Sequence, residues 1–328
     1  MRTAGREANN EEYALGHSEL ELKRLILQAG ILRDITERLL RDAGLREGMR
    51  VLDLGSGTGD VSMLAADIVG PSGSVVGIDR NQRTVELAQR RASEAGYSQV
   101  AFKVCPVEGL RDPAAFDFAV GRYVLVHQAD PVEFVRAASQ AVRPGGVIAF
   151  HENTPSIPAR SYPPLELYDR LADLITAAAV SNLPSCDAAL RAPTLFRAVG
   201  LPCPTLFSET PLGGGENSPI REWTADLHHS LRPQYEKAEI AVPESLDFRQ
   251  NQGPPQGGSY SGPLPAHDAN ANLFLGAAPA GSQEAQYRMN AERRGCAFRV
   301  TGWLGFCGLR PSAGQPAARY SALTWNRN

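Results

Sequence analysis

The stretch that decides the fold is VLDLGSGTGD, residues 51–60. Its first four residues have the pattern of a short buried β-strand, and three glycines at alternate positions follow it. Glycine allows a tight turn and lets a ligand lie against bare backbone. A helical pattern begins at the end of the stretch and continues to residue 69. Strand, glycine turn and helix in this order predict a ligand-binding loop at one edge of a β-sheet.

Strand and helix patterns alternate on both sides of this loop. The predicted strands are apolar on both faces, which is typical of parallel strands covered by helices. They span residues 50–55, 73–79, 100–105, 116–125 and 147–152, and helices are predicted at 18–43, 60–69, 81–96 and 130–146. The sequence therefore predicts an α/β fold with a doubly wound, mostly parallel, Rossmann-like sheet.

Composition divides the chain into four predicted parts. Residues 1–17 form a flexible N-terminus, and residues 18–152 form the core with its N-terminal helix. Residues 153–248 hold two helical patterns, a possible sixth strand and a further helix, and are predicted to shape a substrate pocket. Residues 249–328 are rich in glycine and proline and lack an apolar period, so this tail is expected to be partly disordered.

The composition also narrows the class of protein. The 328 residues carry a net charge of −3, and no Lys/Arg-rich run indicates a nucleic-acid or membrane surface. The polar first residues do not resemble a secretory signal, and the apolar runs are too short to span a bilayer. Five scattered cysteines favour a reducing compartment. Adjacent His228 and His229 would point about 100° apart on a helix, so no metal site is predicted. We expect a cytoplasmic protein acting on a small molecule.

The glycine spacing favours one type of ligand. Dinucleotide-binding loops have the pattern G-x-G-x-x-G, but here the third glycine comes one residue early, as Gly55, Gly57 and Gly59. This leaves less room for a pyrophosphate and suits a smaller group with its own ammonium and carboxylate. Asp53 precedes the loop, and Asp79 ends the second strand, where a carboxylate can accept hydrogen bonds from a ribose diol.

These motifs, with VVGID and FDFAVGRYVLVHQADPVEFVRAASQAVRPGGVIAFHE, resemble the class I S-adenosylmethionine-dependent methyltransferases near the ubiquinone/menaquinone-biosynthesis branch. The resemblance covers roughly residues 11–248. It implies S-adenosylmethionine as cofactor and a seven-stranded sheet whose last strand is antiparallel. The glycines would line the methionine part of the cofactor, and the fourth strand would end near its sulfonium. The implied cofactor-binding residues are Asp53, Gly55, Ser56, Gly57, Gly59, Asp79, Arg80, Val107, Glu108, Gly121 and Arg122.

The sequence departs from the family pattern in two places. After the third strand, relatives carry an aspartate that holds the adenine amine, whereas this chain has Pro106, with Glu108 as a possible substitute. The second departure is the tail. Either FRVTGWLGFCGL (298–309) supplies the last strand after a long loop, or that strand is missing.

Candidate catalytic groups follow the fourth and fifth strands. His127 is a candidate base or substrate contact, and a capping or packing role is the alternative. His151 and Glu152 end the fifth strand, and their alternation allows only one of them to face the pocket. In the first helix, Arg24 and Gln28 are candidate cofactor contacts, with a solvated face or packing as the alternative.

The sequence thus predicts a methyltransferase acting on an oxygen or carbon of a small metabolite. One rival is an NAD(P)-dependent oxidoreductase on a similar sheet, which the glycine spacing disfavours. The other is a catalytically degenerate protein that binds S-adenosylmethionine, suggested by Pro106 and the unusual tail. The sequence leaves the oligomeric state open.

Overall fold

A computed structural model describes residues 19–110, 113–213, 218–243, 246, 295–301 and 305–306. The predicted N-terminal segment 1–17 and most of the predicted tail 249–328 lie outside the described residues. The helices are α1 (Glu19–Asp42), α2 (Asp60–Val69), α3 (Gln82–Glu94), α4 (Pro131–Ala141), α5 (Glu166–Asn182), α6 (Ala192–Ala198), α7 (Pro219–Ser230) and α8 (Arg232–Lys237). The strands are β1 (Arg50–Leu54), β2 (Ser74–Asp79), β3 (Val100–Val104), β4 (Phe116–Arg122), β5 (Val142–Asn153), β6 (Thr205–Glu209), β7 (Leu212–Gly213), β8 (Gly295–Thr301) and β9 (Gly305–Phe306).

Five parallel strands in the order β3-β2-β1-β4-β5 form the centre of the sheet. Their chain order reverses at β1, so the loops after β1 and β4 diverge and leave a crevice at the carboxyl edge, as in other doubly wound sheets. This arrangement confirms the predicted α/β class. It also brings the glycine loop beside the segment that follows β4.

Local sequence signals explain where the core helices begin. The Asn81 side chain accepts a hydrogen bond from the Thr84 backbone N–H (3.1 Å), which caps α3. The Asp130 side chain accepts one from the Glu133 N–H (3.0 Å), and a proline occupies the first turn of α4. Apolar side chains from α2 and α4 then cover opposite faces of the sheet, so the strands are buried on both sides.

The strands beyond β5 run in a different direction from the one expected. β8 lies between β5 and β6, and both pairings are parallel. The antiparallel last strand that the resemblance implied is therefore wrong for this structure. Residues 295–301 supply a strand, which corrects the alternative of a missing one. The remainder of 298–309 contributes β9, which pairs in parallel with β7 in a separate two-stranded sheet.

Helices that follow β5 build a second core next to the sheet. Apolar side chains from α1, α5 and α7 pack together there, among them Leu32, Ile175 and Trp223. The helices predicted after strand five thus lie near the carboxyl edge, where they can shape a pocket. No helix in the described part of the chain is long and apolar enough to cross a membrane.

Candidate functional site

A cavity of about 1290 Å³ lies along the carboxyl edge of the sheet. Its wall is formed by the segments after β1 to β5 together with α1, α5, α7 and α8. Pockets for one small molecule commonly have volumes of roughly 300–1,000 Å³. This cavity is therefore large enough for two molecules side by side.

The glycine loop forms one wall of the cavity with its backbone. Gly55 and Gly57 have φ of 66° and 49°, in the left-handed region that glycine tolerates. A Cβ on Gly55 would lie 2.6 Å from Val124 Cγ1, whereas a Cβ on Gly57 would meet no protein atom within 4 Å. Both glycines and Ser56 line the cavity. The open space over Gly57 lets a ligand contact bare backbone.

These two glycines give a matched pair of variants. Gly57→Ala should lower affinity for S-adenosylhomocysteine at least about tenfold, because its methyl group would occupy ligand space, while left-handed strain costs only about 1–2 kcal/mol of stability. Gly55→Ala should destabilise the fold more, because it adds the clash with Val124. Calorimetry and chemical unfolding measure the two effects. Equal affinity in Gly57→Ala and the parent protein would contradict the proposed ligand position.

Asp79 ties the glycine loop to the end of β2. Its carboxylate accepts hydrogen bonds from the N–H groups of Gly57 (2.9 Å) and Asn81 (2.8 Å). A carboxylate has about four acceptor positions, so it can still accept from a ligand diol. Asp79 lines the cavity, and its place beside the ribose stays a prediction.

The segment after β3, where the resemblance implies adenine binding, lacks the acidic residue of the family pattern. Arg80, Pro106 and buried Val107 line this part of the cavity. Glu108, the predicted substitute, is directed instead toward Arg80, with its Oε1 3.2 Å from Arg80 Nη2, and lies outside the described lining. Apolar contact with Val107 and Pro106 is therefore the main feature that this region offers to a flat ring.

Besides Glu108, the described lining of the cavity leaves out three predicted cofactor residues, which lie behind its wall: Asp53, Gly59 and Gly121. Asp53 is buried, accepts a hydrogen bond from Ser62 Oγ (2.6 Å), and has its pKa raised to about 6 by burial. A Cβ on Gly59 would lie 2.8 Å from the Phe102 ring, and one on Gly121 would lie 2.6 Å from Val124. These residues support the loop by packing and hydrogen bonding, which corrects the expectation of direct contact.

The end of β4 and the segment after it bring Arg122 and His127 to the cavity. Burial lowers the pKa of the His127 imidazole to about 4, and the positive charge of Arg24 acts in the same direction. His127 is therefore neutral at pH 7 and able to accept a hydrogen bond. Arg122 Nη1 lies 3.4 Å from Thr36 Oγ1 on α1, so its guanidinium extends between the sheet and that helix.

His151 and Glu152 do not have the positions predicted for catalytic residues. Both are fully buried, and the described lining of the cavity resumes only at Asn153. His151 Nδ1 lies 2.9 Å from Thr36 Oγ1, against α1. Glu152 Oε1 accepts hydrogen bonds from the N–H groups of Val124 (2.9 Å) and Leu125 (3.0 Å). The expectation that one of them faces the pocket is corrected, because protein covers both faces of β5.

Glu152 instead holds the segment that carries Arg122 and His127. Burial raises its pKa to about 8, although the backbone N–H groups of the segment favour the ionised form. Tyr123, at the start of this segment, has a left-handed φ of 57°, which is uncommon for a non-glycine residue. Val124 contacts the positions where Gly55 and Gly121 lack a Cβ. Glu152 is thus a positioning residue.

Helix α1 contributes a buried polar network to the opposite wall. Arg24 donates to both carboxylate oxygens of Glu21 (2.6 and 2.8 Å) and to Gln28 Oε1 (2.8 Å). Trp223 Nε1 also donates to Gln28 Oε1 (3.2 Å), which links α1 to α7. Arg24, Gln28 and Trp223 line the cavity, so the first two have the location that the sequence suggested.

Sequence reasoning missed several lining residues beyond β5. The side-chain oxygens of Asn153 and Gln234 are buried and accept no hydrogen bond from the described residues. Lys237, at the end of α8, lines the same side. A polar residue directly after the predicted strand 147–152 was the available signal for Asn153, while Gln234 and Lys237 come together with it only through the packing of α8.

Comparison with known proteins finds similarity over the core of the chain. Residues 45–184 match a family model described as a methyltransferase domain. The chain is 34% identical over 132 residues to the ubiquinone biosynthesis O-methyltransferase of Methylocella silvestris, covering 37% of this chain and 50% of the relative. It is 29% identical over 150 residues to the ubiquinone/menaquinone biosynthesis C-methyltransferase of Hahella chejuensis, covering 44% and 60%. The chain thus spans about half to three fifths of the length of these relatives.

A solved structure gives a more limited match. The crystal structure of a SAM-dependent methyltransferase from Aquifex aeolicus is 25% identical, with a TM-score of 0.32, covering 33% of this chain and 58% of the other. This overlap adds nothing to the assignment.

Proposed function

We propose that this protein is a class I S-adenosylmethionine-dependent methyltransferase that transfers a methyl group to an oxygen or carbon of a small molecule, since residues 45–184 match a methyltransferase-domain family model. The observation that carries the proposal is the open backbone over Gly57 beside the Asp79 carboxylate, in a cavity of about 1290 Å³. Relatives named as O- and C-methyltransferases support both kinds of acceptor.

The residues of the loop fit the cofactor. The open space at the Cβ position of Gly57 and the carboxylate of Asp79 suit a ligand with a ribose diol. The buried Ser56 hydroxyl, which has no hydrogen-bond partner among the described residues, can donate to a polar atom of the same ligand. Bound there, S-adenosylmethionine supplies a methyl group on a positively charged sulfur, and the acceptor's electron pair forms the new bond as the sulfur becomes neutral.

The protein's part in this reaction is alignment and exclusion of water. Holding two reactants in line can lower the activation free energy by about 7–11 kcal/mol at best. The Gly55–Gly57 backbone fixes one reactant, and the segment of Arg122 and His127 faces the other. We assign neutral His127 a hydrogen bond to the acceptor, with proton removal needed only where the acceptor oxygen or carbon still carries its proton.

We also propose the finer organisation of the chain. Strands β6 and β8 would complete the core to seven strands, and residues 153–248 would form the part that shapes the acceptor pocket. The division into parts at residues 17, 152 and 248 stays a prediction. So do the cytoplasmic location and the absence of a nucleic-acid partner.

Titration of the purified protein with S-adenosylmethionine, S-adenosylhomocysteine and NAD tests the proposal. We expect micromolar binding of the first two and none of NAD at millimolar concentration, because the short glycine spacing excludes a pyrophosphate. Binding of NAD alone would favour the oxidoreductase. Binding of S-adenosylhomocysteine without turnover on a broad acceptor panel would favour a degenerate protein.

A further inference from the structure

The two halves of the cavity differ in charge. Its described lining includes two carboxylates, Asp60 and Asp79, and both follow strands on the glycine-loop side, β1 and β2, where Arg80 and Arg83 also line the cavity. On the other side, the charged lining residues are Arg24, Arg122 and Lys237, from α1, β4 and α8. No carboxylate lines that side among the described residues. The half proposed for the acceptor is therefore positively charged.

Arg122 differs from Arg24 and Lys237 in how its positive charge is balanced. Glu21 neutralises Arg24 through two hydrogen bonds, and Lys237 is exposed to solvent. Arg122 is half-buried and makes no direct ion pair with a carboxylate of the described residues, although its charge acts at longer range on Asp53 and Asp60. A partly buried cation is stabilised when an anion contacts it. Arg122 is therefore available to an oxyanion in the cavity.

The rest of this half is apolar with a few buried polar atoms. Ile175, Trp223 and Leu227 are buried side chains that line it. Gln234 is more than nine-tenths buried, and its side-chain oxygen accepts no hydrogen bond from the described residues. Such a wall favours a largely apolar molecule that also carries a hydrogen-bonding group.

The bound cofactor would strengthen this preference. S-adenosylmethionine carries two cationic centres and one carboxylate, so it adds positive charge beside Arg122. In a cavity partly shielded from water, an anion in the acceptor half would offset this charge more strongly than in bulk water.

We infer that the methyl acceptor is an anionic, largely apolar small molecule whose ionised oxygen is bound by Arg122; this rests on the proposed function. The class comprises carboxylic acids and acidic enols or phenols on a hydrophobic body. Neutral and cationic molecules of the same shape bind more weakly, because they cannot form a direct ion pair with Arg122.

Three probes with the same body test the inference: 2-naphthoate, 2-naphthamide and 2-naphthylmethylammonium. Each is titrated calorimetrically into the full-length protein saturated with S-adenosylhomocysteine. We expect 2-naphthoate to bind at least about tenfold tighter than either other probe. Arg122→Gln should reduce this preference to less than about twofold, and Arg122→Lys should keep most of it.

The control variant is Arg136→Gln, which removes an exposed arginine of α4 that pairs with Glu133. It should retain the full preference. Equal binding of the three probes, or a preference that survives Arg122→Gln, overturns the inference. Loss of S-adenosylhomocysteine binding in Arg122→Gln also overturns it, because Arg122 would then serve the cofactor. Failure of S-adenosylhomocysteine to bind the parent protein contradicts the proposed function instead.

Discussion

Replacement of Asp79 by alanine is expected to reduce the affinity for S-adenosylhomocysteine by at least about 100-fold. The carboxylate orients the Gly57 and Asn81 N–H groups and lies at the cavity surface. Hydrogen bonds to a charged group contribute about 1.5–3 kcal/mol each, and every 1.4 kcal/mol is a factor of ten in affinity. The binding free energy lost with the ligand diol contacts and the loop contacts together should therefore exceed about 2.7 kcal/mol. Isothermal titration calorimetry measures the change.

The matched control is Asp67→Ala. Asp67 is an exposed carboxylate on α2 that pairs with Arg33 (2.9 Å) and lies outside the described cavity lining. Its loss should change affinity by less than about twofold, since exposed ion pairs contribute at most about 1 kcal/mol to stability and here do not contact the ligand. Thermal unfolding of both variants establishes that they are folded. If folded Asp79→Ala retained the parent affinity, Asp79 would have no role in binding the ribose.

Much of the sheet could be predicted because its signals are local. The period of apolar residues, Asn81 and Asp130 as caps, and glycine turns each report on a few neighbouring residues. The central strands and their helices accordingly lie within a few residues of the predicted bounds, except β5, which begins earlier, at Val142. The direction of β8 depends on its partners β5 and β6, which are distant in the chain, so its own sequence could not decide between parallel and antiparallel pairing.

The site was predictable where it depends on strand ends and less so elsewhere. Gly55, Gly57 and Asp79 follow directly from the loop and from the edge at which parallel strands end. Alternation correctly predicted that His151 and Glu152 point to opposite faces of β5. It could not show that α1 covers one face and the Val124–Leu125 backbone the other. The acceptor half combines α1, α5, α7 and α8, and their relative placement depends on tertiary packing.

The role of Glu152 leads to a large expected effect on stability. Glu152→Ala should lower the free energy of unfolding by about 2–4 kcal/mol, because it leaves the buried N–H groups of Val124 and Leu125 without their acceptor. Glu152→Gln should cost much less, since an amide oxygen can accept the same hydrogen bonds. Urea unfolding at pH 6 measures both variants. Equal destabilisation by alanine and glutamine would mean that the charge, and not the acceptor oxygen, holds the segment.

The raised pKa of Glu152 predicts that the free energy of unfolding depends on pH. Comparison with Glu152→Gln isolates this dependence. Its pKa is raised from 4.5 to about 8 by burial, so between these values the folded protein keeps a proton that the unfolded chain has released. By linkage, the contribution of this bound proton to the free energy of unfolding is fully present below about pH 4.5. It is lost as the pH rises through about 8. Relative to Glu152→Gln, which cannot ionise, the parent protein should therefore lose on the order of 2–4 kcal/mol between pH 5 and pH 8. Other carboxyls with raised pKa values, such as Asp53, titrate alike in both proteins and cancel in the difference. A difference constant to within about 0.5 kcal/mol across this range would show that Glu152 is already ionised in the folded protein at pH 5.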